Sequence, residues 1–430
     1  MKDTINIGIL GLGVVGSGTV ALLQKNREII ERKIGVKLVI KKIAVRDINK
    51  KRAVNVDHSL LTNNPFEVLD DPEIDLICEL IGGVYPAKEY VLRALANGKH
   101  VVTANKELIA KEGHEILHAA EAKKLDFQFE GSVGGGIPII QPMKNALGGN
   151  QIDELMGIVN GTTNYILTRM THEGAEFEDV LKDATAKGYA EADPTSDIEG
   201  FDAQYKIAIL SSIAFTSRVN VNDVYVEGIT HISRHDIAWA KELNYVIKLV
   251  GIAARIDEHT VSIRVHPTML PAEHPLASTN DVYNAIYVKG DAVGDVMFYG
   301  RGAGMMPTGS AVVGDIMDVC RNIRHGSTGR ISCTCFEQKK IMPMDLVETK
   351  YYIRMTVTDR PKVLASIASV LGDHSVSIES VVQKATAHEQ AEIIWVTHRT
   401  QEKAIKAALR VIEDLPVVQR IENLIRVEEV

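Results

Sequence analysis

The 430-residue chain has few of the features that mark secreted, membrane or nucleic-acid-binding proteins. It contains four cysteines, 5% aromatic residues and 45% apolar residues, with a mean hydropathy of zero. Four cysteines are too few for a disulfide framework in a chain of this length. No run reaches the apolar length of a membrane span, and the N-terminus turns polar before a secretory apolar segment could form. We therefore expect a cytoplasmic globular protein.

Acidic residues outnumber basic ones, and the basic residues form no sizeable stretch that would predict a nucleic-acid partner. The net charge is −8, and no sizeable basic stretch interrupts the chain. This charge argues against binding to nucleic acid and to anionic membranes. The pair Cys333-Thr-Cys335 lacks a second ligand pair at zinc-like spacing, so we interpret it as structural. The length predicts two or three domains.

A glycine motif follows the first predicted strand. Residues 5–10 predict a buried strand, Gly11-Leu-Gly13-Val-Val-Gly16 follows at once, and a helical pattern comes next. The GxGxxG pattern alone is weak, but its position between strand and helix makes it a strong indication of a dinucleotide-binding turn. Its glycines allow a tight turn and let a pyrophosphate approach the helix N-terminus. The alternative is a tight strand–helix turn without a ligand.

The end of the second predicted strand bears on the choice of cofactor. The strand Lys37–Val45 ends in Arg46-Asp47, and Lys50, Lys51 and Arg52 follow. An acid here binds the ribose 2′-OH of NAD, whereas an arginine accommodates the 2′-phosphate of NADP. Both residue types are present, and the four cations favour NADP. A solvated run of charges is the alternative.

Two further segments lie where an open α/β sheet binds ligands. The strand His100–Thr103 runs into Ala104-Asn105-Lys106, a polar segment at a strand's carboxyl end, although Lys106 could also be an ordinary helix-start lysine. The loop Gly131–Pro138 is rich in glycine. Its carbonyls could bind a hard cation or its backbone approach a cofactor, but a flexible connection is equally compatible with its composition.

An acidic segment ends in a lysine with the spacing of a helical pair. Five carboxylates lie between Glu191 and Asp202, and Lys206 follows one helical turn after Asp202. Ser196 with Glu199 fits a capping box that opens a helix with a single apolar stripe. A lysine held by carboxylates at the edge of such a stripe can act as a general acid or base. The alternative is a solvated surface ion pair.

The last 80 residues predict a unit of their own. Strands and helices alternate in the order βαββαβ between Tyr351 and Val427, which is the ferredoxin-like arrangement. The segment carries no cluster of catalytic residue types, so we interpret it as a binding or dimerising module. The fold class is thus α/β: a Rossmann-type doubly wound parallel sheet, an α+β domain and a C-terminal ferredoxin-like domain.

Several long motifs in a fixed order resemble those of bacterial homoserine dehydrogenases of the long, monofunctional type. The resemblance spans residues 1–320, with an ACT-type regulatory domain over about 350–430. It rests on Gly11–Gly16, Val102-Thr-Ala-Asn-Lys106, Gly134-Gly-Gly-Ile-Pro138, Gly157-Ile-Val-Asn-Gly-Thr162, Glu191-Ala-Asp-Pro-Thr-Ser-Asp197 and the DxxxK pair Asp202/Lys206.

The resemblance implies an activity and a domain division. The family reduces L-aspartate 4-semialdehyde reversibly to L-homoserine with NAD(P), in the biosynthesis of threonine, methionine and isoleucine. Residues 1–140 would form the dinucleotide-binding domain, with the helix at about 309–320 packing back on it. Residues 141–320 would bind substrate and dimerise, 321–349 would be a linker, and 350–430 the regulatory domain.

The resemblance also implies residue roles. Lys206 would be the general acid/base, assisted by Lys106. The substrate-binding residues would be Glu191 at the ammonium, Asp197, Asp202, Thr162, Gly188 and Tyr189. The dinucleotide would contact Gly11, Leu12, Gly13, Val14, Val15, Gly16, Arg46, Thr103, Lys106 and Gly302. A sodium ion would be bound through backbone carbonyls by Glu130, Val133, Gly135 and Ile137.

The expected partners are a small-molecule substrate, NADP(H) in preference to NAD(H), and a second copy of the chain in a homodimer or homotetramer. The family's effector, threonine, would bind the ACT-type module. Two departures put that ligand in question: Lys362 replaces a ligand-facing glycine after Pro361, and Asp373-His-Ser375 stands where such domains often have a glycine.

Two other classes compete with this interpretation. One is another amino-acid or hydroxy-acid dehydrogenase with the same cofactor domain, against which only the segment Glu191–Lys206 argues. The other is a non-catalytic redox sensor. Such a sensor needs no lysine–carboxylate constellation and usually carries a DNA-binding segment, which the sequence lacks.

Overall fold

The computed structural model describes residues 2–331, 333–385 and 390–429. These residues form two compact units. The first comprises residues 1–155, 205–224 and 283–339, and the second comprises residues 156–204, 225–282 and 340–430. None of the helices in the described part of the chain has the length and apolarity needed to cross a membrane.

The strands and helices are numbered in chain order. The strands are β1 (Thr4–Leu10), β2 (Lys37–Ala44), β3 (Leu61–Thr62), β4 (Leu76–Glu79), β5 (His100–Thr103), β6 (Phe127–Gln128), β7 (Ile152–Ile158), β8 (Tyr225–Val226), β9 (Tyr245–Arg255), β10 (Thr260–Pro271), β11 (Tyr283–Gly290), β12 (Gly294–Arg301), β13 (Lys340–Ile341), β14 (Glu348–Thr358), β15 (Ile378–Ala385), β16 (Gln390–Thr397), β17 (Thr400–Gln401) and β18 (Val418–Val427). The helices are α1 (Val14–Lys25), α2 (Arg27–Ile34), α3 (Phe66–Leu69), α4 (Ala87–Ala96), α5 (Lys106–Ala122), α6 (Ile140–Lys144), α7 (Gly161–Glu173), α8 (Phe177–Ala186), α9 (Thr195–Ile198), α10 (Phe201–Ala214), α11 (Arg234–Glu242), α12 (Met305–His325), α13 (Val363–Asp373) and α14 (Glu402–Glu413).

A parallel six-stranded sheet organises the first unit. Its strand order is β3-β2-β1-β4-β5-β6, and every neighbouring pair is parallel. The order reverses between β1 and β4, where Leu10 pairs with Glu79. Open α/β sheets bind ligands at such a switch point, outside the carboxyl ends of the strands. The predicted Rossmann-type sheet is therefore confirmed.

Helix α12 is part of the core of this sheet. Its residues Val312, Ile316 and Val319 are buried together with Ile5, Ile7 and Ile9 of β1. Glycines let α12 approach α1 closely, because a Cβ on Gly18 would lie 1.8 Å from the Met305 carbonyl oxygen. The helix is longer than the sequence predicts and continues to His325, since the pattern after Cys320 stays helical until Gly326 ends it in the left-handed conformation.

The second unit contains a mixed sheet with the strand order β9-β10-β18-β14-β16-β15. The last four strands, with α13 and α14, form the predicted βαββαβ module, which is therefore confirmed. Strand β18 also pairs in parallel with β10, through Thr268 opposite Arg426 and Met269 opposite Val427. The module thus shares one sheet with β9 and β10.

Buried ion pairs reinforce that shared sheet. Arg354 Nε of β14 donates to Asp236 Oδ1 of α11 at 2.7 Å, and both side chains are buried. Arg426 of β18 donates from Nη2 to Glu402 Oε1 at 2.5 Å and from Nη1 to Glu227 Oε2 at 2.8 Å. Burial raises the energetic cost of removing either partner, because the remaining charge would stay in a low-dielectric interior.

The acidic segment folds differently from the prediction. Ser196 lies inside the short helix α9, which begins at Thr195 after Pro194, so the predicted capping box with Glu199 is wrong. Gly200, with a φ of 84°, separates α9 from α10. Helix α10 has no single apolar stripe, since every residue from Lys206 to Phe215 is buried. It is an internal helix, for which a stripe is not needed.

Candidate active site

The glycine turn of the first unit lies between β1 and α1, as the motif predicts. Gly11 has a φ of 97°, and a Cβ there would lie 2.6 Å from the Leu80 carbonyl oxygen. A Cβ on Gly16 would lie 2.3 Å from the Gly11 carbonyl oxygen, whereas Gly13 has open space around it. Leu12 is buried, and Val14 is largely exposed. The turn thus leaves the N-terminus of the 12-residue helix α1 open to an anionic group.

The loop after β2 carries the charges that bear on cofactor choice. Arg46 and Asp47 are both exposed. The Asp47 carboxylate accepts a hydrogen bond from the Asn49 backbone at 2.8 Å. Arg52 is bound by the loop itself, because its guanidinium donates to the carbonyl oxygens of Asp47, Ile48 and Lys50. Arg46 is therefore better placed than Arg52 to contact a ligand.

A buried glutamate joins the ends of β4 and β5. Glu79 Oε2 accepts a hydrogen bond from Thr103 Oγ1 at 2.7 Å, and Oε1 accepts one from the Ile81 backbone at 2.9 Å. Burial raises the pKa of Glu79. The Thr103 hydroxyl is thus engaged inside the protein. No role was predicted for Glu79 from the sequence, although an acid at the end of a buried strand could have indicated one.

Lys106 is the first residue of α5. Asn105 caps this helix by accepting from the Leu108 backbone at 3.1 Å, and its amide donates to the Gly83 carbonyl oxygen at 2.6 Å. The second predicted catalytic lysine, Lys206, lies in α10 with 7% of its surface exposed. A solvated surface pair, the alternative for Asp202 and Lys206, is incompatible with this burial, because Asp202 is only 3% exposed.

The glycine-rich loop predicted to bind a cation is ordered by a buried acid. The Glu130 carboxylate accepts hydrogen bonds from the backbones of Ile139, Ile140 and Gln141 at 2.6 to 2.8 Å. Burial raises the pKa of Glu130. Its backbone N–H donates to Asp315 Oδ2 at 2.8 Å, and burial followed by the Glu130 charge raises the pKa of Asp315. Asp315 was not predicted, because only the fold brings it to this loop.

The backbone of the same loop fits a hard cation. Gly134 and Gly135 have φ values of 72° and 55°, which turn successive carbonyls in different directions. Among the described residues, no donor reaches the carbonyl oxygens of Val133, Gly135 or Ile137. Such unshared carbonyls are ligands that hard cations prefer. Gly302 lies against this loop, since a Cβ on Gly135 would lie 2.3 Å from its carbonyl oxygen.

In the second unit, one asparagine forms hydrogen bonds with two of the predicted substrate-binding acids. Asn160 Nδ2 donates to Asp197 Oδ1 at 2.6 Å and to Asp202 Oδ2 at 2.8 Å. Its Oδ1 accepts from the Thr163 backbone at 2.8 Å and so caps α7. Asn160 lies within the motif Gly157–Thr162, but no role was predicted for it. Its position directly before a helix is the signal that indicates a cap.

The other predicted substrate-binding residues lie nearby along the same part of the chain. Thr162 Oγ1 donates to the Tyr189 carbonyl oxygen at 2.7 Å, and the ring centroids of Tyr165 and Tyr189 are 4.9 Å apart. Gly188 has a φ of 74°, and Glu191 is exposed. An exposed acid beside a turn can receive an ammonium group from solvent.

The sheet order, the glycine turn and the buried lysine define the class of the protein, an NAD(P)-dependent oxidoreductase. Three family models match successive parts of the chain. They describe the NAD-binding domain of homoserine dehydrogenase at residues 11–130, homoserine dehydrogenase at 138–317 and the ACT domain at 351–417.

Individual relatives match over nearly the full length. A homoserine dehydrogenase from Synechocystis is 46% identical over 99% of this chain and 99% of its own. The crystal structure of a homoserine dehydrogenase from Thiobacillus denitrificans has a TM-score of 0.94 and 47% identity, covering 99% of this chain and 98% of that one. A hyperthermophilic archaeal homoserine dehydrogenase mutant in complex with NADPH has a TM-score of 0.63 and 27% identity, covering 74% and 97%.

The chain belongs to the homoserine dehydrogenase family. It is accordingly an NAD(P)-dependent oxidoreductase that interconverts L-aspartate 4-semialdehyde and L-homoserine, a step of amino-acid biosynthesis. The resemblance drawn from the sequence motifs is confirmed, and both rival interpretations, another dehydrogenase and a redox sensor, are excluded.

Proposed function

We propose that Lys206 is the general acid of the reductive reaction. The observation that carries this proposal is its burial at 7% exposure on α10, one turn after the buried Asp202. Hydride addition to an aldehyde leaves a negative charge on oxygen, and a buried ammonium group can stabilise that charge and supply the proton. The nicotinamide supplies the hydride when it is bound. Lys106, at the start of α5, assists at the same oxygen.

We propose that acids of the second unit orient the substrate. Asp197 and Asp202 share the amide of Asn160, so their carboxylates are held in one arrangement. The exposed Glu191 receives the substrate ammonium, and Thr162, Gly188 and Tyr189 complete the binding surface. The test is to compare L-aspartate 4-semialdehyde with succinic semialdehyde, which lacks the ammonium. Glu191→Gln should raise KM for the first substrate only, and an equal effect on both would contradict the role.

We propose that the cofactor is NADP(H) in preference to NAD(H). Gly11, Leu12, Gly13, Val14, Val15, Gly16, Thr103, Lys106 and Gly302 contact the dinucleotide, and Arg46 contacts the 2′-phosphate. Arg46 is exposed at the end of β2, while the Asp47 carboxylate already accepts a backbone hydrogen bond. The archaeal relative in complex with NADPH supports this assignment.

We further propose that the loop formed by Glu130, Val133, Gly135 and Ile137 binds sodium through carbonyl oxygens. The unshared carbonyls and the two left-handed glycines support this site. At the same ionic strength, the melting temperature should be higher in sodium chloride than in choline chloride. Equal stability in the two salts would contradict the proposal.

We propose the domain division that the sequence suggests, with the boundary at 320 moved to the end of α12 at His325 and that at 349 moved to the start of β14 at Glu348. Residues 141–320 and the ACT-type module assemble a homodimer or homotetramer in the cytoplasm. The four free cysteines are compatible with a reducing compartment. Sedimentation of the full chain tests the assembly. We propose that the module binds a small amino acid, and calorimetry with a panel of small amino acids, threonine included, tests that binding.

A further inference from the structure

A cavity in the first unit has two thiols in its wall. It is lined by residues of α5 and α10, by Phe129, Lys144 and Arg218, and by the segment 333–335. Cys333 and Cys335 are both half-buried there, whereas Cys78 and Cys320 are fully buried in the core. The chain therefore has one reachable pair of thiols and one unreachable pair. The proposed catalysis uses neither.

A cation lies beside the sulfur of Cys333. Arg218 Nη2 donates to this sulfur at 3.9 Å, and Cys335 follows two residues later in the chain. The neighbouring Cys335 lowers the pKa of Cys333, and the charges of Arg218 and Lys144 lower it further. Thiolates, not thiols, attack disulfides, and nearby cations favour the thiolate.

The charges that face this pair come from several elements. Lys144 ends α6 with its Nζ 4.7 Å from the centroid of the Phe129 ring, and burial lowers its pKa while the charges of Cys333, Cys335, Asp315 and Glu130 oppose that change. Two cations, Arg218 and Lys144, thus lie near the thiols. The acids Asp315 and Glu130 act on Lys144.

Cys335 differs from Cys333 in its hydrogen-bond partner and in the direction of its pKa shift. Its thiol donates to the Ser212 carbonyl oxygen of α10 at 3.4 Å, and the neighbouring Cys333 raises its pKa. The Phe336 backbone donates to the Thr334 carbonyl oxygen at 3.1 Å, which bends the chain at Cys335. Two residues span at most about 7 Å between Cα atoms, close to the range in which disulfides form. Cys333 to Phe336 lie outside helices and strands, so closure distorts no ladder.

We propose that Cys333 and Cys335 are a redox-active dithiol that a low-molecular-weight disulfide oxidises to an internal disulfide bond. The Cys333 thiolate attacks one sulfur of the small disulfide, whose S–S bond breaks and releases one thiolate. The Cys335 thiol loses its proton and attacks the Cys333 sulfur, which releases the second small thiolate. The protein loses two electrons and two protons, and the small disulfide is reduced to two thiols.

The test uses the full chain and glutathione disulfide. The expected product has lost two hydrogen atoms, and a peptide map shows one internal bond between Cys333 and Cys335 while Cys78 and Cys320 remain thiols. Dithiothreitol restores the starting mass. A stable glutathione adduct on the unmodified chain, chains linked to each other, or modification of Cys78 at the same rate would overturn the proposal.

Single variants separate the two roles. Cys335→Ser should trap the glutathione adduct on Cys333, and Cys333→Ser should react more slowly at Cys335. Arg218→Met should shift the pH dependence of Cys333 alkylation to higher pH, because the variant lacks the positive charge that favours the thiolate. Arg32→Met, at an exposed arginine of α2, is the matched control. If Arg218→Met does not fold, the two serine variants decide alone: no trapped adduct in Cys335→Ser, or equal rates in both, refutes the assignment.

Discussion

Asn160 donates its side-chain amide to Asp202 at 2.8 Å and to Asp197 at 2.6 Å, so one neutral group separates two carboxylates. Without that amide the two negative charges would repel each other, because like charges at close range disfavour joint ionisation. The same side chain caps α7 through its Oδ1. Asn160 thus couples the start of a helix to the arrangement of the proposed substrate-binding acids.

Replacing Asn160 with serine should separate these two effects. Serine can still cap the helix, so any loss of stability should come from the missing hydrogen bonds to Asp197 and Asp202 and not from the cap. The lost hydrogen bonds to charged groups are each worth about 1.5–3 kcal/mol, so kcat/KM for homoserine should fall about 10- to 100-fold. The control is Asn220→Ser, at an exposed residue that caps a 3-10 turn. Unchanged steady-state kinetics in Asn160→Ser would show that the acids do not need the amide.

Lys206→Ala should lower turnover by about 10²–10⁴-fold, the usual contribution of a positioned general acid. Because Lys206 is buried, the stability of the variant must be measured by thermal unfolding alongside the kinetics. Lys182→Ala is the control, since Lys182 is an exposed lysine paired with Asp179 at 3.7 Å. Retention of most of the turnover under saturating substrate would remove Lys206 from the mechanism.

Local patterns could predict the parts of this molecule that depend on neighbours in the sequence. The glycine turn was predictable because strand, turn and helix are contiguous between Thr4 and Lys25. The βαββαβ module was predictable for the same reason. The contacts of Asn160 with the two acids and of Asp315 with Glu130 could not be assigned, because these partners lie 37 or more positions apart and meet only in the fold. The burial of α10 on all sides was also beyond a periodicity argument, since it depends on what surrounds the helix.

Arg46→Ala should raise KM for NADPH by about 10- to 100-fold and leave KM for NADH nearly unchanged. The reason is that a charge-assisted hydrogen bond to the 2′-phosphate contributes about 1.5–3 kcal/mol. Arg52→Ala is the informative comparison, because Arg52 donates to loop carbonyls and its loss should affect both cofactors alike. Equal effects of Arg46→Ala on both cofactors would mean that Arg46 does not contact the phosphate.

The ion pair between Arg354 and Asp236 should make stability depend on acid pH. Burial alone would raise the pKa of Asp236, but Arg354 holds it below the ordinary value. A lowered folded-state pKa stabilises the protein above the unfolded-state pKa of about 3.9, and this contribution is lost as the pH falls through the folded-state value.

Denaturant unfolding checks that dependence. Arg354→Met should cost about 3–5 kcal/mol near neutral pH, because it leaves a buried carboxylate unpaired. The double variant with Asp236→Asn should lose less than the sum of the two single variants. Arg27→Met breaks the exposed pair with Glu31 and should cost less than about 1 kcal/mol. Additive losses in the double variant would contradict the coupling.

Lys362 replaces a glycine in the sequence, and its backbone also adopts the left-handed conformation that favours glycine. It has a φ of 77° and precedes α13, and Ser375, the last residue of the second departure, has a φ of 61°. The left-handed conformation costs a non-glycine residue roughly 1–2 kcal/mol. Both positions therefore keep the turn geometry of a glycine while adding a side chain where an amino-acid effector would approach the backbone.

We accordingly predict weak or absent threonine inhibition of the unmodified chain, measured as NADPH oxidation with aspartate semialdehyde. Deleting residues 350–430 is a poor test, because it would leave Asp236 without Arg354 and β10 without β18. Lys362→Gly removes both the side chain and the strain, so it should raise the melting temperature and strengthen threonine inhibition. Lys362→Ala removes the side chain but keeps the strain, so it should strengthen inhibition without the gain in stability. Strong inhibition of the unmodified chain would show that Lys362 does not obstruct the effector.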